Sequence, residues 1–326
     1  MSGEKSRVVL RSTKGRNIRD AVWECMHACG WEDLVPKGAS VLVKPNLCTA
    51  VAEKAASSNT DPEVAAAVCE MLLSRTPNVM LGESDGLRQK ADEAFAVSGY
   101  VELAKRLGVR LVNLSTTEWK PVHCPPAGMV ELPRVLLEAD VFITLPVLKT
   151  HALTYFTGAI KNQWGCLPQY NRILLHKHLD RLLATLHAVL RPTLAVMDGI
   201  IAMEGRGPAN GKPRRMDVVL ASRDSVALDA TAMRLVGLDP GRARHVVLTA
   251  ERGLGRMGSE EIAVDGEWAR HATCFEAAVL DKAIAAMNYM SRFRWFVTYM
   301  LERDYIFYPI RGAVQVLRKV GVVEGG

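Results

Sequence analysis

The chain contains 326 residues, of which 49% are hydrophobic and 23% are charged. This composition is that of an ordinary globular protein and excludes disorder as the main state. The length allows one large domain or two smaller ones. The 41 basic and 35 acidic residues give a net charge of +6, but the basic residues are scattered and aromatic residues make up only 6%. We therefore expect no nucleic-acid partner, and the positive balance favours small anionic substrates or an anionic surface.

The cysteines indicate a reducing compartment. The chain has seven of them, an odd number, and no two are spaced as C-x-x-C. The first ten residues lack the apolar segment of a secretory signal, and no clean apolar run reaches the ~18 residues that a membrane span needs. We therefore expect a cytoplasmic protein with reduced thiols.

Short apolar runs alternate with helical patterns along the chain. The predicted strands are Val8–Arg11, Ser40–Val43, Val79–Leu81, Val109–Asn113, Val141–Thr144, Leu194–Met197 and Val218–Ala221. The predicted helices are Pro62–Leu73, Ala91–Leu107, His178–Leu190 and Ser225–Val236. Uninterrupted apolar strands are typical of a parallel sheet covered on both faces. The sequence therefore predicts an α/β fold over residues 1–285, with mostly parallel strands flanked by helices, either as one unit or as two lobes that meet near residue 145.

The end of the chain has a different composition. Residues 286–326 are rich in aromatic and basic side chains and predict a C-terminal helical extension. A helix pair docked on the domain is the expected arrangement. The alternative is contact with a membrane surface, since aromatic and basic residues mix in helices that lie there.

Lysine and histidine side chains follow two of the predicted strands, where ligand sites of such folds lie. Lysine binds carboxylate or phosphate, histidine can move protons near neutral pH, and glycine lets backbone N–H groups approach a ligand. We expect catalytic roles for Lys149, His151 and Lys161. The expected substrate-binding residues are Lys44, Asn46, Thr157, Gly158 and Asn162, together with Arg206 in the Gly- and Pro-rich loop at residues 205–213.

Two further histidines precede the helix at His178–Leu190. His176 is four residues before Asp180, so the two share a helix face, and the carboxylate can orient the ring. We expect His176 or His178 to transfer protons together with His151. His-x-His also occurs in metal sites, but on a helix the two rings diverge, and a core or capping histidine is the commoner outcome.

Four carboxylates from separate segments are candidate metal ligands, because carboxylate oxygens suit hard cations such as Mg²⁺. They are Asp85, Asp198, Glu204 and Asp229. The alternative is that they form plain ion pairs with the lysines of the same region.

Taken in chain order, these motifs resemble the uncharacterised family catalogued as domain of unknown function 362. The resemblance covers roughly residues 40–265 and rests on Lys44-Pro45-Asn46, Leu148-Lys149-Thr150-His151, Thr157-Gly158, Lys161-Asn162, Gly165, His176, His178, Asp198-Gly199, Glu204-Gly205, Gly207-Pro208, Asp224 and Asp229. Some members of that family are iron–sulfur associated. Because this chain lacks a C-x-x-C-x-x-C run, we expect no cluster of its own. The placing of histidines and lysines around an acidic substrate is also similar in logic to lactate-racemase-like proteins, by analogy alone.

Two functions fit these observations. The first is an enzyme that binds a small anion and catalyses proton transfer in an isomerisation, elimination or cyclisation, as a lyase or isomerase, with or without a divalent metal. The second is an iron–sulfur-associated redox accessory or cofactor-binding protein that docks a ferredoxin-like partner.

Overall fold

A computed structural model describes residues 5–87, 89–280 and 282–301, together with 303, 309 and 312. The strands are β1 Ser6–Ser12, β2 Val41–Pro45, β3 Val79–Glu83, β4 Arg110–Asn113, β5 Trp119–His123, β6 Met129–Pro133, β7 Val141–Leu145, β8 Val147–His151, β9 Tyr155–Thr157, β10 Leu194–Glu204, β11 Lys212–Ser222 and β12 Ile262–Asp265. The helices are α1 Ile18–Ala28, α2 Trp31–Leu34, α3 Ala52–Ser58, α4 Pro62–Leu73, α5 Ala91–Val97, α6 Tyr100–Leu107, α7 Arg134–Leu137, α8 Ala159–Asn162, α9 Leu179–Leu190, α10 Ser225–Leu235, α11 Arg244–Glu251, α12 Trp268–His271, α13 Lys282–Met290 and α14 Arg294–Phe296.

The centre of the fold is a ten-stranded sheet in the order β12-β1-β11-β10-β7-β2-β3-β4, with β8 paired to β10 and β9 paired to β8. The run β10-β7-β2-β3-β4 is parallel, whereas β11 is antiparallel to both of its neighbours. The predicted α/β fold with a mostly parallel sheet is confirmed. Strands from both sides of residue 145 join this one sheet, and the division into domains stays a prediction.

Helices cover both faces of the sheet. Along β1, Val9 packs into an apolar cluster that includes α1 and α4, while its neighbours Val8 and Leu10 pack into a second cluster that includes α9 and α10. Successive side chains of a strand point to opposite faces. Both faces of the strand are therefore buried, which explains the uninterrupted apolar runs in the sequence.

The helix predicted at Pro62–Leu73 is confirmed at both ends. The Asp61 side chain accepts a hydrogen bond from the Glu63 backbone N–H at 2.9 Å, and Pro62 occupies the first turn. An aspartate cap satisfies an N–H that has no partner inside the helix, and proline at the first position loses no hydrogen bond.

Three other predicted elements are wrong in extent, and one of them is the strand predicted at Val218–Ala221, which is longer and runs from Lys212 to Ser222. The single helix expected at Ala91–Leu107 is two helices, α5 and α6, because Gly99 adopts a left-handed conformation with φ of +77°. The strand expected to end at Met197 continues to Glu204, since the chain forms a long antiparallel hairpin with β11. Asp198 therefore lies inside β10 and not at its end.

The C-terminal segment is helical where the structure describes it, in α13, α14 and a π-helical turn at Val297–Leu301. Most of the extension expected at 286–326 beyond Leu301 lies outside the described residues. None of the described helices is long and apolar enough to cross a membrane.

Candidate active site at the carboxyl ends of the strands

A buried ion pair joins the carboxyl ends of β2 and β3. Lys44 Nζ donates to Glu83 Oε2 at 2.9 Å, to the Pro45 carbonyl oxygen at 2.9 Å and to Asn162 Oδ1 at 3.2 Å. Both charged side chains are at most 4% exposed. Asn162 is held in turn by its donation to Thr144 Oγ1 at 2.8 Å. The three ammonium protons of Lys44 are thus engaged by the protein, so this pair supports the site and leaves no donor for a substrate.

Lys149 is fully buried next to a thiol. Its Nζ donates to the Ser58 carbonyl oxygen at 2.6 Å and to Cys48 Sγ at 3.2 Å. The same carbonyl accepts from Asn46 Nδ2 at 2.7 Å, so Asn46 positions the loop around the lysine. Thr157 lies opposite Lys149 in the β8–β9 pair, and the buried hydroxyls of Thr157 and Ser58 have no hydrogen-bond partner within the residues that the structure describes. Buried hydroxyls normally have partners, which marks this region as suited to a polar ligand.

Lys161 is the lysine of this region without a polar partner. Among the described residues its Nζ makes no hydrogen bond or ion pair, and it lies 6.0 Å from the centre of the Trp164 ring. Burial lowers the pKa of Lys161 to about 7, helped by the positive charges of Arg172, Lys149 and Lys44. Desolvation and like charges both disfavour the ammonium form, so a substantial share of Lys161 is neutral amine at neutral pH.

His151 is held as a neutral ring by the turn that follows β8. Its Nδ1 accepts backbone N–H bonds from Leu153 at 3.1 Å and Thr154 at 3.3 Å. An Nδ1 that accepts hydrogen bonds carries no proton, so the proton of the neutral ring is on Nε2. Burial, with Lys161 and Lys149 nearby, also lowers the pKa of His151 well below its usual value. His151 can therefore donate a hydrogen bond from Nε2 but is a poor base at that atom.

His176 connects the site to the C-terminal helices. Its ring lies 5.4 Å from the Trp164 ring, and its Nδ1 is 3.1 Å from Asn288 Oδ1 in α13. Burial lowers the pKa of His176 to about 4, with a further contribution from the charge of Lys161. With Nδ1 donating to the amide oxygen, Nε2 carries the lone pair and is the atom that can accept a proton.

The expected pairing of His176 with Asp180 is wrong. His176 belongs to a 3-10 helix at Arg172–His178 that ends before α9 begins, so the two do not share one helix face. Asp180 lies instead 3.8 Å from Nδ1 of His245, a fully buried histidine whose two nitrogens have no hydrogen-bond partner in the described part of the chain. His178 directly precedes α9 and is partly exposed, and within the described residues it makes no hydrogen bond to the lysines.

Two arginines add positive charge to the region. Arg172 Nη1 donates to the carbonyl oxygens of Asp85 and Leu167, at 2.6 and 2.9 Å, and to Ser84 Oγ at 2.9 Å. Among the described residues the other guanidinium nitrogens of Arg172 have no hydrogen-bond partner. Arg206 has one buried nitrogen, Nη2, that is likewise without a partner there. Guanidinium groups with unused donors are suited to carboxylate and phosphate.

Asp229 fixes the start of α8 and thereby the position of Lys161. Its two carboxylate oxygens accept from the backbone N–H groups of Ala159 at 2.7 Å and Ile160 at 3.1 Å. A Cβ at Gly158 would lie 2.1 Å from Asp229 Oδ1. The approach of Asp229 therefore by itself requires glycine at residue 158, and the role of Gly158 in substrate binding stays a prediction.

The four carboxylates expected to bind a metal do not come together. Asp198 accepts from the backbone N–H groups of Asp61 and Ile200 at 2.8 and 2.9 Å, and Asp229 caps α8. Asp85 and Glu204 have their own protein partners, which are Lys90, Ala91 and Asn113 for the first, and Glu276 and Arg214 for the second. No group of three or more His, Cys, Asp or Glu side chains in the described structure could hold a metal ion. The binding of a divalent cation stays a prediction, and the described residues contain no site for it.

Comparison with known proteins places the chain in a family. A family model described as "Domain of unknown function (DUF362)" matches residues 41–234. The chain belongs to this family. A curated relative, a thylakoid-associated protein of Synechocystis sp., is 29% identical over 238 residues, which are 71% of this chain and 73% of the relative. The cytoplasmic location expected from the cysteines stays a prediction.

Two solved structures align with much of the chain at low similarity. The lactate racemase apoprotein from Thermoanaerobacterium thermosaccharolyticum gives a TM-score of 0.45 at 12% identity, over 70% of this chain and 58% of that one. A structural-genomics protein from Thermotoga maritima gives a TM-score of 0.40 at 12% identity, over 72% and 58%. This chain thus spans 58% of the length of each solved chain. Neither alignment bears on the reaction.

The DUF362 region contains each of the candidate residues from Lys44 to Asp229, but the site also includes residues that the sequence reasoning missed. These are Cys48, Ser58, Glu83, Arg172 and Asn288. Glu83 follows a predicted strand in the same way as Lys44, so its position was a usable signal. Asn288 lies outside the family match, and no local pattern connects it with His176.

Proposed function

We propose that this protein is an enzyme of the isomerase or lyase type that binds a small organic anion and removes a proton from it with Lys161. The observation that carries the proposal is geometric: among the described residues Lys161 has no hydrogen bond or ion pair, and Arg172, Lys149 and Lys44 lie near enough to lower its pKa to about 7. A base with a pKa near the working pH is the most effective at neutrality. Lysine reaches that range only where burial and like charges act together.

The surroundings of Lys161 suit an anion. Arg172 has unused guanidinium donors, Lys149 has one proton left after its two bonds, and His151 presents an N–H at Nε2. These groups attract a carboxylate or phosphate. A bound anion also raises the pKa of Lys161, because an opposite charge favours the ammonium form. Substrate binding therefore increases the ability of the amine to keep the proton that it removes.

The same groups can stabilise the reaction. When the amine takes a proton from a carbon next to a carboxylate or carbonyl, negative charge develops on the substrate oxygens. Fixed donors placed at that charge lower the barrier. Return of a proton, from Lys161 or through His176, completes an isomerisation. Loss of a leaving group instead completes an elimination, and attack within the substrate completes a cyclisation.

Hydrogen exchange tests this proposal without knowledge of the full reaction. The protein is incubated in D₂O with a panel of 2-hydroxy, 2-keto, dicarboxylic and phosphorylated acids, and loss of carbon-bound protons is followed by NMR. We expect exchange in one structural class, with Lys161→Met and Lys161→Arg at least 100-fold slower. The matched control is Lys37→Met, which removes an exposed lysine before β2 and should leave the rate unchanged. Exchange that persists in Lys161→Met contradicts the proposal.

The proposal uses no metal and no redox partner. Each of the four candidate metal ligands has other protein partners, and the ferredoxin-like partner expected from the sequence stays a prediction. In this proposal Lys161 is the base and His176 is a second proton carrier. The anion is bound by His151, Lys149 and Arg172.

A further inference from the structure

The exposed apolar side chains of the protein are concentrated in one segment. Of the thirteen large hydrophobic side chains that are exposed among the described residues, seven lie between residues 279 and 299. We name this set of exposed side chains the C-terminal apolar face, defined by its place in the sequence: Val279, Leu280, Met287, Tyr289, Phe293, Trp295 and Tyr299. Trp295 is 54% exposed and Tyr289 is 55% exposed. Scattered exposed apolar residues need no explanation, but a concentration of them marks an interaction site.

Side chains outside the apolar face hold this segment on the protein. Ser291, Val297 and Leu301 are buried, and Asn288 contacts His176 of the site. The apolar face is therefore not the contact that holds these helices on the domain. It is a second apolar surface, turned to solvent.

The charge of this segment is mainly positive, with Asp281 as the one acidic residue of the sequence between 279 and 299. Residues 282–301 contain three basic residues and no acidic residue, and residues 281–320 carry a net charge of +4 out of the +6 of the whole chain. Arg292 and Arg294 are exposed between the aromatic residues, and the guanidinium of Arg292 lies 5.2 Å from the centre of the Tyr289 ring. Aromatic rings with interleaved arginines suit the boundary between lipid headgroups and acyl chains.

We propose that the C-terminal apolar face docks the protein on the surface of an anionic lipid bilayer. Exposed aromatic and aliphatic side chains enter the headgroup region, while Arg292 and Arg294 meet the lipid phosphates. Charge complementarity favours this occupant over a second copy of the chain, because two such faces would bring like charges together without an acidic residue from 282 to 301 to offset them.

Vesicle co-sedimentation of the full chain tests the proposal. Vesicles of phosphatidylcholine alone are compared with vesicles that contain one third phosphatidylglycerol, at low and high salt. We expect binding to the anionic vesicles that weakens with salt, and a loss of at least tenfold in Arg292→Glu/Arg294→Glu. The matched control is Arg19→Glu/Arg223→Glu, with the same charge change at exposed arginines outside the face. Equal loss in both double variants would mean that only net charge matters and would overturn the proposal.

The depth of contact is measured with lipids brominated on the acyl chains, which quench tryptophan fluorescence on contact. We expect quenching that is abolished by Trp295→Phe and kept by Trp268→Phe, a partly buried control. Circular dichroism confirms that each variant is folded, which is expected because the changed side chains are exposed. No binding to anionic vesicles contradicts the inference. A dimer seen by sedimentation velocity without lipid would also contradict the inference if Arg292→Glu/Arg294→Glu or Trp295→Ser dissociates or alters it. In that case the face would bind a second copy of the chain.

Discussion

Lys161 differs from its neighbours Lys44 and Lys149 in its partners. Lys44 has a carboxylate and two further acceptors, and Lys149 has a carbonyl oxygen and a thiol. Among the described residues, Lys161 instead makes no hydrogen bond or ion pair and lies near the face of the Trp164 ring. An ammonium group that loses water and gains no acceptor gives up its proton more easily. All three residues are lysines, so the sequence could not tell them apart. The structure shows that Lys44 and Lys149 are hydrogen-bonded to the protein and that Lys161 is the one left to act on a substrate.

The lowered pKa of Lys161 should make the free energy of unfolding depend on pH. The folded-state pKa of about 7 lies below the ordinary value of 10.5, so between these values the unfolded chain binds a proton that the folded chain does not. The free energy of unfolding should therefore rise with pH from about 7 to 10.5 because of this group. Lys161→Met should remove that part of the slope in urea melts at several pH values. A slope unchanged by the substitution would contradict the lowered pKa.

Gly158 should be intolerant of any side chain. A Cβ there would lie 2.1 Å from the Asp229 carboxylate that caps α8. We expect Gly158→Ala to destabilise the protein by about 2–4 kcal/mol, since the backbone N–H groups of Ala159 and Ile160 lose their acceptor. The control is Gly86→Ala, where the nearest atom is 3.7 Å from the new Cβ. Equal melting temperatures for the two variants would refute this role of residue 158.

At the level of elements, the site depends on parallel strands that end side by side. β2 and β3 place Lys44 and Glu83 next to each other in the sheet, and Asn162 of α8 accepts a further hydrogen bond from Lys44. A buried pair contributes little net stability, but removal of one partner leaves a charge without compensation.

We therefore expect Glu83→Gln to destabilise the protein by about 3–5 kcal/mol. Lys44→Met/Glu83→Leu should recover most of that loss, because it removes both charges together. Denaturant melts of the three proteins measure this. A double variant that is less stable than Glu83→Gln would show that the charges themselves are needed.

The sequence predicted the elements whose signals are local. The Asp61-Pro62-Glu63 start defines α4 within a few residues, and apolar runs predicted β1, β2, β3 and β7. The extent of β10 could not be predicted, because residues 199–204 become strand only through pairing with β11 and β8. The break at Gly99 depends on a single left-handed residue within a pattern that is otherwise helical.

At the level of the whole molecule, buried neutral histidines should dominate the response to acid. Burial lowers the pKa values of His176 and His187 to about 4 and that of His245 to about 3, and it also lowers that of His151. A group whose folded pKa is depressed loses its stabilising contribution as pH falls from its ordinary value through the folded one. The buried Asp198 and Asp229, with pKa values raised to about 7, act in the opposite direction between pH 3.8 and 7. Because the histidines are more numerous, we expect net loss of stability below pH 6.5.

His245 is the clearest test case, since both of its nitrogens are buried and have no hydrogen-bond partner among the described residues, with the Asp180 carboxylate 3.8 Å from Nδ1. We expect His245→Phe to leave stability near pH 7 within about 1.5 kcal/mol and to reduce the slope of unfolding free energy between pH 4 and 6 by about 1.4 kcal/mol per pH unit. His27→Phe, at a histidine that is largely exposed, is the control. An acid slope that is the same in both variants would contradict the prediction.

The composition of the site could be predicted only in part. Chain order placed Lys149, His151 and Lys161 together because all three follow the predicted strand Val141–Thr144, and it placed His176 before the next predicted helix. In the structure Lys161 and His176 both lie against the Trp164 ring. The sequence could not show that Lys44 is hydrogen-bonded to Asn162. Nor could it show that Asn288 contacts His176, which is 112 positions away in the sequence. Those contacts depend on the packing of the whole fold.

The most direct test of the account is the pKa of Lys161. Protein labelled with ¹³C at lysine is titrated from pH 5 to 11, and the Cε and Hε signals are followed by NMR, with Lys161→Arg to assign the resonance. We expect one lysine signal that titrates near pH 7 and disappears in Lys161→Arg. A Lys161 signal that titrates above pH 10 would contradict the assignment of Lys161 as the base and, with it, the proposed function.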